Sequence, residues 1–242
     1  MKLFVAESYT MMSRQATDDV VEIMGSRKNP VICTASGDSP AGLYKEIVQR
    51  KGKDEMSIED WFFVGLDEWI GLNENDEGSC RYHLNQQLFE PLRVVNEKIC
   101  FFDGRAGDLE NECDKTENFI HEHGGIDVAI LGLGMNGHIG MNEPGTSARL
   151  RSHVVDLDPI TQQVGQKYFK KEQKLTKGIT LGITTLMEAR NIFLLVSGKH
   201  KAAITQKIVE GEISEKLPGT LLRRHPALSI YLDKEAASGI VG

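Results

Sequence analysis

No apolar run in this 242-residue sequence approaches the roughly 18–20 residues that a bilayer-spanning helix needs. Runs such as 192–196 are short, and the opening MKLFVAES has four apolar residues before Glu7, too few for a signal-peptide core. Cysteine is scarce: Cys33, Cys80, Cys100 and Cys113 form no C-x-x-C pair, so zinc and redox motifs have no support. Without a leader, these are expected to be free thiols in a reducing, cytoplasmic setting. Positive charge is in deficit, with 28 Lys and Arg against 35 Asp and Glu, a formal charge of −7. That argues against nucleic acid or an anionic membrane as partner. A small anionic ligand stays compatible if its pocket is locally positive. The composition, 40% apolar and 26% charged, excludes disorder, a coiled coil and a collagen-like rod. The length suits one large α/β domain or two small ones.

What is present is alternation. β-rich apolar runs at 2–6, 30–33, 61–66, 126–131, 154–155, 191–196 and 227–232 alternate with helical patterns at 10–25, 40–49, 81–92, 108–123, 161–169, 184–189 and 199–210. This predicts an α/β fold, one doubly wound and mostly parallel sheet. In the first helix Met11, Ala16, Val20, Val21 and Met24 are candidates for the inner face. In the second, Ser39 reads as N-cap with Pro40 at the first helical position. His121 and His123, two apart on a helix, face apart and read as a solvated helix end rather than a metal site.

Three strand candidates run straight into polar turns: Thr34 to Pro40, Asp67-Glu68-Trp69, and Gly132 to His138. In an open parallel sheet, ligands bind beyond the carboxyl ends of the strands. Ser36, Gly37 and Ser39 before a helix suit either an anion at unpaired N–H groups or a tight turn with nothing bound. Asp67-Glu68 is either a solvated acidic turn or a site for a general base. Gly132, Gly134 and Gly137 spell G-x-G-x-x-G, but two glycines and a proline follow, so the helix that dinucleotide binding requires is not expected. His138 and Glu143 suit proton transfer better.

Leu66-Asp67-Glu68-Trp69, the run GMNGHIGMNEPG at 134–145 and Ser36-Gly37-Asp38-Ser39-Pro40 resemble the hexosamine-6-phosphate deaminases. These are the glucosamine-6-phosphate and galactosamine-6-phosphate deaminase/isomerases. The likeness covers nearly the whole chain, continuing through 151–155, 177–182 and 195–201. It implies a single Rossmann-like domain over 1–242 with a lid at about 157–180, and a homo-oligomer is left open. The reaction implied is cofactor-free and metal-free loss of ammonia from a sugar phosphate to give a ketose 6-phosphate, in amino-sugar catabolism. Hydrolase, isomerase and deaminase are the class words expected for it. His138 would open the sugar ring, with Glu143 and Asn136 orienting it and Asn136 hydrogen-bonding the imidazole. Asp67 would move a proton between C2 and C1. The phosphate cradle would fall on Ser36, Gly37, Ser39, Lys167 and Lys201.

Two departures stand out. Lys167 replaces an arginine common in the family, and Asp38 replaces a usual glycine. Asp38 is expected to turn from the phosphate towards solvent or a basic residue, unless it reads a sugar hydroxyl. Trp69 and Ser79-Cys80 lean towards the galactosamine branch, while the length and the ending at 232–238 resemble short glucosamine enzymes. A 6-phosphogluconolactonase and a non-catalytic sugar-phosphate sensor are the competing readings. The first would not need Asp67 as a carbon-acid base, and the second would carry a helix-turn-helix segment.

Overall fold

A computed structural model describes residues 1–240. Strand β2 (Val31–Thr34) is buried along its whole length. Val31 and Cys33 enter one apolar cluster with Leu131 and Ile192, while Ile32 enters another with Phe63, Val128 and Ile130. A strand apolar on both faces needs cover on both, which helices supply in a parallel sheet.

The chain runs β1 (Lys2–Ala6), α1 (Tyr9–Gly25), β2, α2 (Asp38–Gly52), β3 (Phe62–Gly65), β4 (Asp67–Trp69), α3 (Cys80–Leu84), α4 (Glu90–Leu92) and β5 (Ile99–Cys100). It continues with α5 (Leu109–Glu122), β6 (Val128–Gly132), β7 (His153–Asp156), α6 (Pro159–Gly165), β8 (Lys177–Thr180), α7 (Ile183–Met187), β9 (Asn191–Val196), α8 (Ala202–Glu210) and β10 (Leu228–Asp233). Seven strands form an all-parallel sheet in the order β1-β10-β9-β6-β2-β3-β5. After β2 the chain builds outward through β3 and β5, then returns to β2's other side with β6. That reversal makes the β2–β6 boundary the switch point, where a crevice opens. No described helix is long and apolar enough to cross a membrane.

The expected doubly wound α/β sheet is therefore present, with several corrections. A second sheet, β4-β8-β7, is antiparallel and was not expected. Asp67–Trp69, read as a turn, is its strand β4, and the run at 154–155 belongs to its strand β7 rather than to the parallel sheet. In α1 the buried line is Met12, Ala16, Val20 and Met24, whereas Met11 is 54% exposed. An unbroken i, i+4 spacing selects Met12 over the identical side chain one position earlier. Helix α2 starts at Asp38, so Ser39 is not its N-cap. Gly37 holds that place at φ +142°, a backbone conformation that L side chains rarely adopt. The 81–92 pattern is helical but contains a π turn at Asn85–Phe89. His121 is exposed, as expected, but His123 is half-buried: its Nδ1 lies 2.8 Å from the Phe119 carbonyl and its ring packs on Phe62 and Phe119. The four cysteines are free, as expected, and all are buried.

Candidate active site

At the carboxyl ends of β2, β6 and β9 lies a cavity of about 400 Å³. Ser36, Gly37 and Ser39 line it from the β2–α2 loop, Asp67 from β4, His138 from the loop after β6, and Lys167 and Lys201 from later in the chain. Glu143 and Asn136 lie behind His138 rather than in the lining.

The acidic pair is split by strand geometry, because neighbours on a strand face opposite ways. Asp67 faces the cavity. Burial pushes its carboxyl up to about 6, against a hydrogen bond from Cys80 and the pull of His138. Glu68 faces inward, fully buried, and accepts the backbone N–H groups of Trp69 (2.8 Å), Cys80 (2.9 Å) and Arg81 (2.9 Å). It therefore anchors the start of α3, which places Cys80 beside Asp67. Burial raises the Glu68 carboxyl to about 8 despite those donors.

The loop after β6 is held by Asn142, whose Nδ2 donates to the carbonyls of Ile139 (2.8 Å) and Leu181 (2.9 Å). No helix follows Gly132-x-Gly134-x-x-Gly137, in keeping with the rejected dinucleotide reading. Gly134 is needed for a different reason: a Cβ there would lie 2.4 Å from the His138 ring. Glu143 Oε2 lies 3.5 Å from His138 Nδ1, too far for a hydrogen bond. The expected Asn136–imidazole bond is also absent. Asn136 Nδ2 donates to Glu143 Oε2 (2.8 Å), and its Oδ1 accepts the backbone N–H of His138 (3.2 Å). Its amide is spent on the carboxylate and the loop. What does reach the imidazole is Thr161 Oγ1, 3.0 Å from Nδ1. Burial raises the Glu143 carboxyl, but contacts with His138, Thr161 and Asn136 outweigh it and hold it below the ordinary range.

Opposite these groups is the start of α2. The Tyr9 hydroxyl donates to the Asp38 carbonyl and accepts the Gly42 N–H, both at 2.6 Å, and so fixes the first turn of the helix. The Tyr168 hydroxyl stands beside Gly37, and Ser39 Oγ lies 3.1 Å from Ser197 Oγ. Lys201 reaches the Leu133 carbonyl. Burial and nearby Lys167 lower its ammonium to about 8, with Asp38 pulling the other way. Asp38 meets a basic residue, as one of the expected alternatives had it: its Oδ2 is 2.6 Å from Lys167 Nζ.

The segment at 157–180 carries α6 and a 3₁₀ turn at Gln166–Tyr168, and ends in β8. The Leu157 N–H donates to the Thr176 carbonyl (2.9 Å), so residues between them form an excursion with a hydrogen-bonded neck. Its inner side seats on Trp69, and a Cβ on Gly165 would come within 2.9 Å of both Trp69 and the excursion's own Leu175. Sequence reading missed Thr161, Tyr168, Ser197 and His200 of the lining. No motif marks the first two, whereas Ser197 and His200 stand beside Lys201 directly after a strand, a detectable signal.

Over residues 6–230 the sequence matches the family described as Glucosamine-6-phosphate isomerases/6-phosphogluconolactonase. It is 37% identical to a glucosamine-6-phosphate deaminase of Thermoanaerobacter pseudethanolicus, over 98% of this chain and 94% of that one. It is 36% identical to one from Oceanobacillus iheyensis, over 99% and 96%. The fold superimposes on a solved monomeric glucosamine-6-phosphate deaminase with a TM-score of 0.95 at 34% identity, covering 99% of this chain and 100% of that one. These relatives are named deaminases, which corrects the expected class word hydrolase. With a match across almost the whole length and a shared fold, the chain belongs to the glucosamine-6-phosphate isomerase/6-phosphogluconolactonase family.

Proposed function

We propose that the protein converts glucosamine 6-phosphate to fructose 6-phosphate and ammonia without a cofactor. One observation carries the reading: a buried carboxyl raised to about 6, Asp67, shares a 400 Å³ cavity with His138 and a helix start flanked by lysines. His138 takes the proton of the sugar's O1 hydroxyl and returns one to the ring oxygen as the C1–O5 bond breaks. Asp67, ionised near neutral pH, removes the C2 proton and delivers it to C1 through an enolamine. Water adds at C2 and ammonia leaves. Each positioned acid or base supplies about 10²–10⁴-fold, or roughly 3–5 kcal/mol. Ser36, Gly37, Ser39, Lys167 and Lys201 hold the phosphate, which the overall acidic surface would otherwise repel.

The relatives' names support glucosamine 6-phosphate over its galactosamine epimer. The test is ammonia release from both 6-phosphates, with 6-phosphogluconolactone hydrolysis as control. Release from the glucosamine compound is expected to dominate. Lactone hydrolysis without ammonia release from either sugar overturns the reading.

A further inference from the structure

We propose that Asp233 is a positioning residue: a buried carboxylate, set back from the cavity, that fixes the loop carrying Ser197 and Lys201 and so sets how tightly a phosphate is held. This rests on the phosphate cradle of the function proposed above. Asp233 ends β10, is 6% exposed and does not line the cavity. Both of its oxygens accept the backbone N–H of Gly198 at 3.0 Å, and Oδ1 also accepts the Ala236 N–H at 2.8 Å.

Strands β9 and β10 run parallel, and their pairing ends at Val196 and Leu232. One residue later on β10, the Asp233 side chain takes over as acceptor, so β9 leaves the sheet from a held point. That point is a glycine at φ +89°, in the region that L side chains rarely adopt. Glycine loses the most conformational freedom on ordering, so the corner needs a hold from outside itself. A charge-assisted bond from a carboxylate supplies one. The Gly198 carbonyl in turn accepts the Lys201 N–H at 3.0 Å, closing the 3₁₀ turn Lys199–Lys201. Before the corner, Ser197 Oγ meets Ser39 Oγ, and after it Lys201 lines the cavity.

The bond to Ala236 makes the hold two-sided. Ala236 opens the 3₁₀ turn Ala236–Gly239, and a Cβ on Gly239 would lie 3.1 Å from the Ala202 carbonyl. That turn lies against the residue next to Lys201. One carboxylate thus ties the end of β10, the Gly198 corner and the start of α8 into a single support behind the cradle. An amide could not replace it, because its NH₂ would face the Gly198 N–H donor to donor.

Asp233→Asn tests this with a sign. Removing a negative charge would by Coulomb attraction alone tighten an anion, whereas a displaced loop loosens it. KM for the 6-phosphate substrate is expected to rise about ten-fold, the worth of one charge-assisted hydrogen bond, with kcat within about two-fold. Calorimetric titration with inorganic phosphate should show the same weakening. Combined with Lys201→Ala, the two losses should fall short of their product, because Asp233 acts through the loop that holds Lys201. Tighter or unchanged phosphate binding, a loss confined to kcat or to thermal stability, or losses that multiply in full overturn the proposal. One measurement needs no variant: the Gly198 amide of the native protein should resist hydrogen exchange as the amides of β9 do, and exchange at the rate of an open loop overturns the proposal. If the native protein releases no ammonia, the proposed function falls and the phosphate titration still decides the role of Asp233. A native protein that binds no phosphate overturns that role as well.

Discussion

Asp67 is placed where it costs stability. Its carboxyl has an ordinary value of 3.8 and stands near 6 in the folded chain because of burial. A raised carboxyl contributes its full stability below the unfolded value, and that contribution is lost as pH rises through the folded value. At pH 8 the ionised, buried group therefore works against folding. Asp67→Asn is expected to stabilise the protein by about 1–3 kcal/mol at pH 8 and by nothing near pH 3, while abolishing turnover. Urea denaturation at both pH values checks this, and a variant no more stable than native at pH 8 contradicts it. Lys201 complements Asp67, since its ammonium is lowered to about 8 and it loses charge above that. The free enzyme then needs Asp67 ionised and Lys201 charged, giving a kcat/KM profile with limbs near pH 6 and pH 8. Lys201→Arg, which stays charged, should remove the alkaline limb and keep the acid one. Asp67, His138 and Glu143 were legible because they stand in dense local motifs or directly after strands, whereas Lys167 and Lys201 came only with the family resemblance. Thr161 was not: it is 23 residues from His138 in sequence, and no spacing rule connects a loop imidazole to a later helix.

The element that most needs explaining is the excursion between Leu157 and Thr176. The family resemblance marked it as a lid, but its partners could not be read from the sequence. Lys167 was expected to hold phosphate, yet it rests on Asp38, a pair with side chains 46% and 76% exposed. Pairs that exposed contribute about 0–1 kcal/mol. In the proposed reaction a phosphate held by Lys167 would displace the Asp38 carboxylate, so Asp38→Gly is expected to lower KM by up to about five-fold, with kcat little changed. Steady-state kinetics in fixed buffer tests this, and a raised KM would show that Asp38 contacts the sugar instead. The antiparallel sheet escaped sequence reading for a related reason. β4 is three residues long with two acids, and β8 contains a glycine, so neither has the apolar signature that exposed β2, β6 and β9.

For the whole molecule, the parallel sheet was the legible part. Its inner strands are short, apolar runs bounded by turns, and burial on both faces leaves them no polar alternation to confuse the pattern. The candidate site gathers where those strands end, so the polar residues just after them already pointed to it, while the strand order came from the structure. The proposed reaction draws on carboxylates, an imidazole and backbone donors, groups sufficient for proton transfer at neutral pH. Ammonia release should therefore survive dialysis against EDTA, with kcat unchanged. Activity lost to the chelator and restored by added metal would require a different mechanism.

The hydrogen bond from Leu157 to Thr176 has a consequence for how such enzymes diversify. Both ends of the intervening stretch meet at one point, and the antiparallel pair β7–β8 continues beneath it. The stretch is thus a cassette, insertable or exchangeable without changing strand register. It carries the mouth cation Lys167, the aromatic Tyr168 and the hydroxyl of Thr161, whereas Asp67 and His138 stay on the frame. Substrate preference can then drift by replacement of one contiguous piece, while the proposed carbon-acid chemistry below is inherited intact.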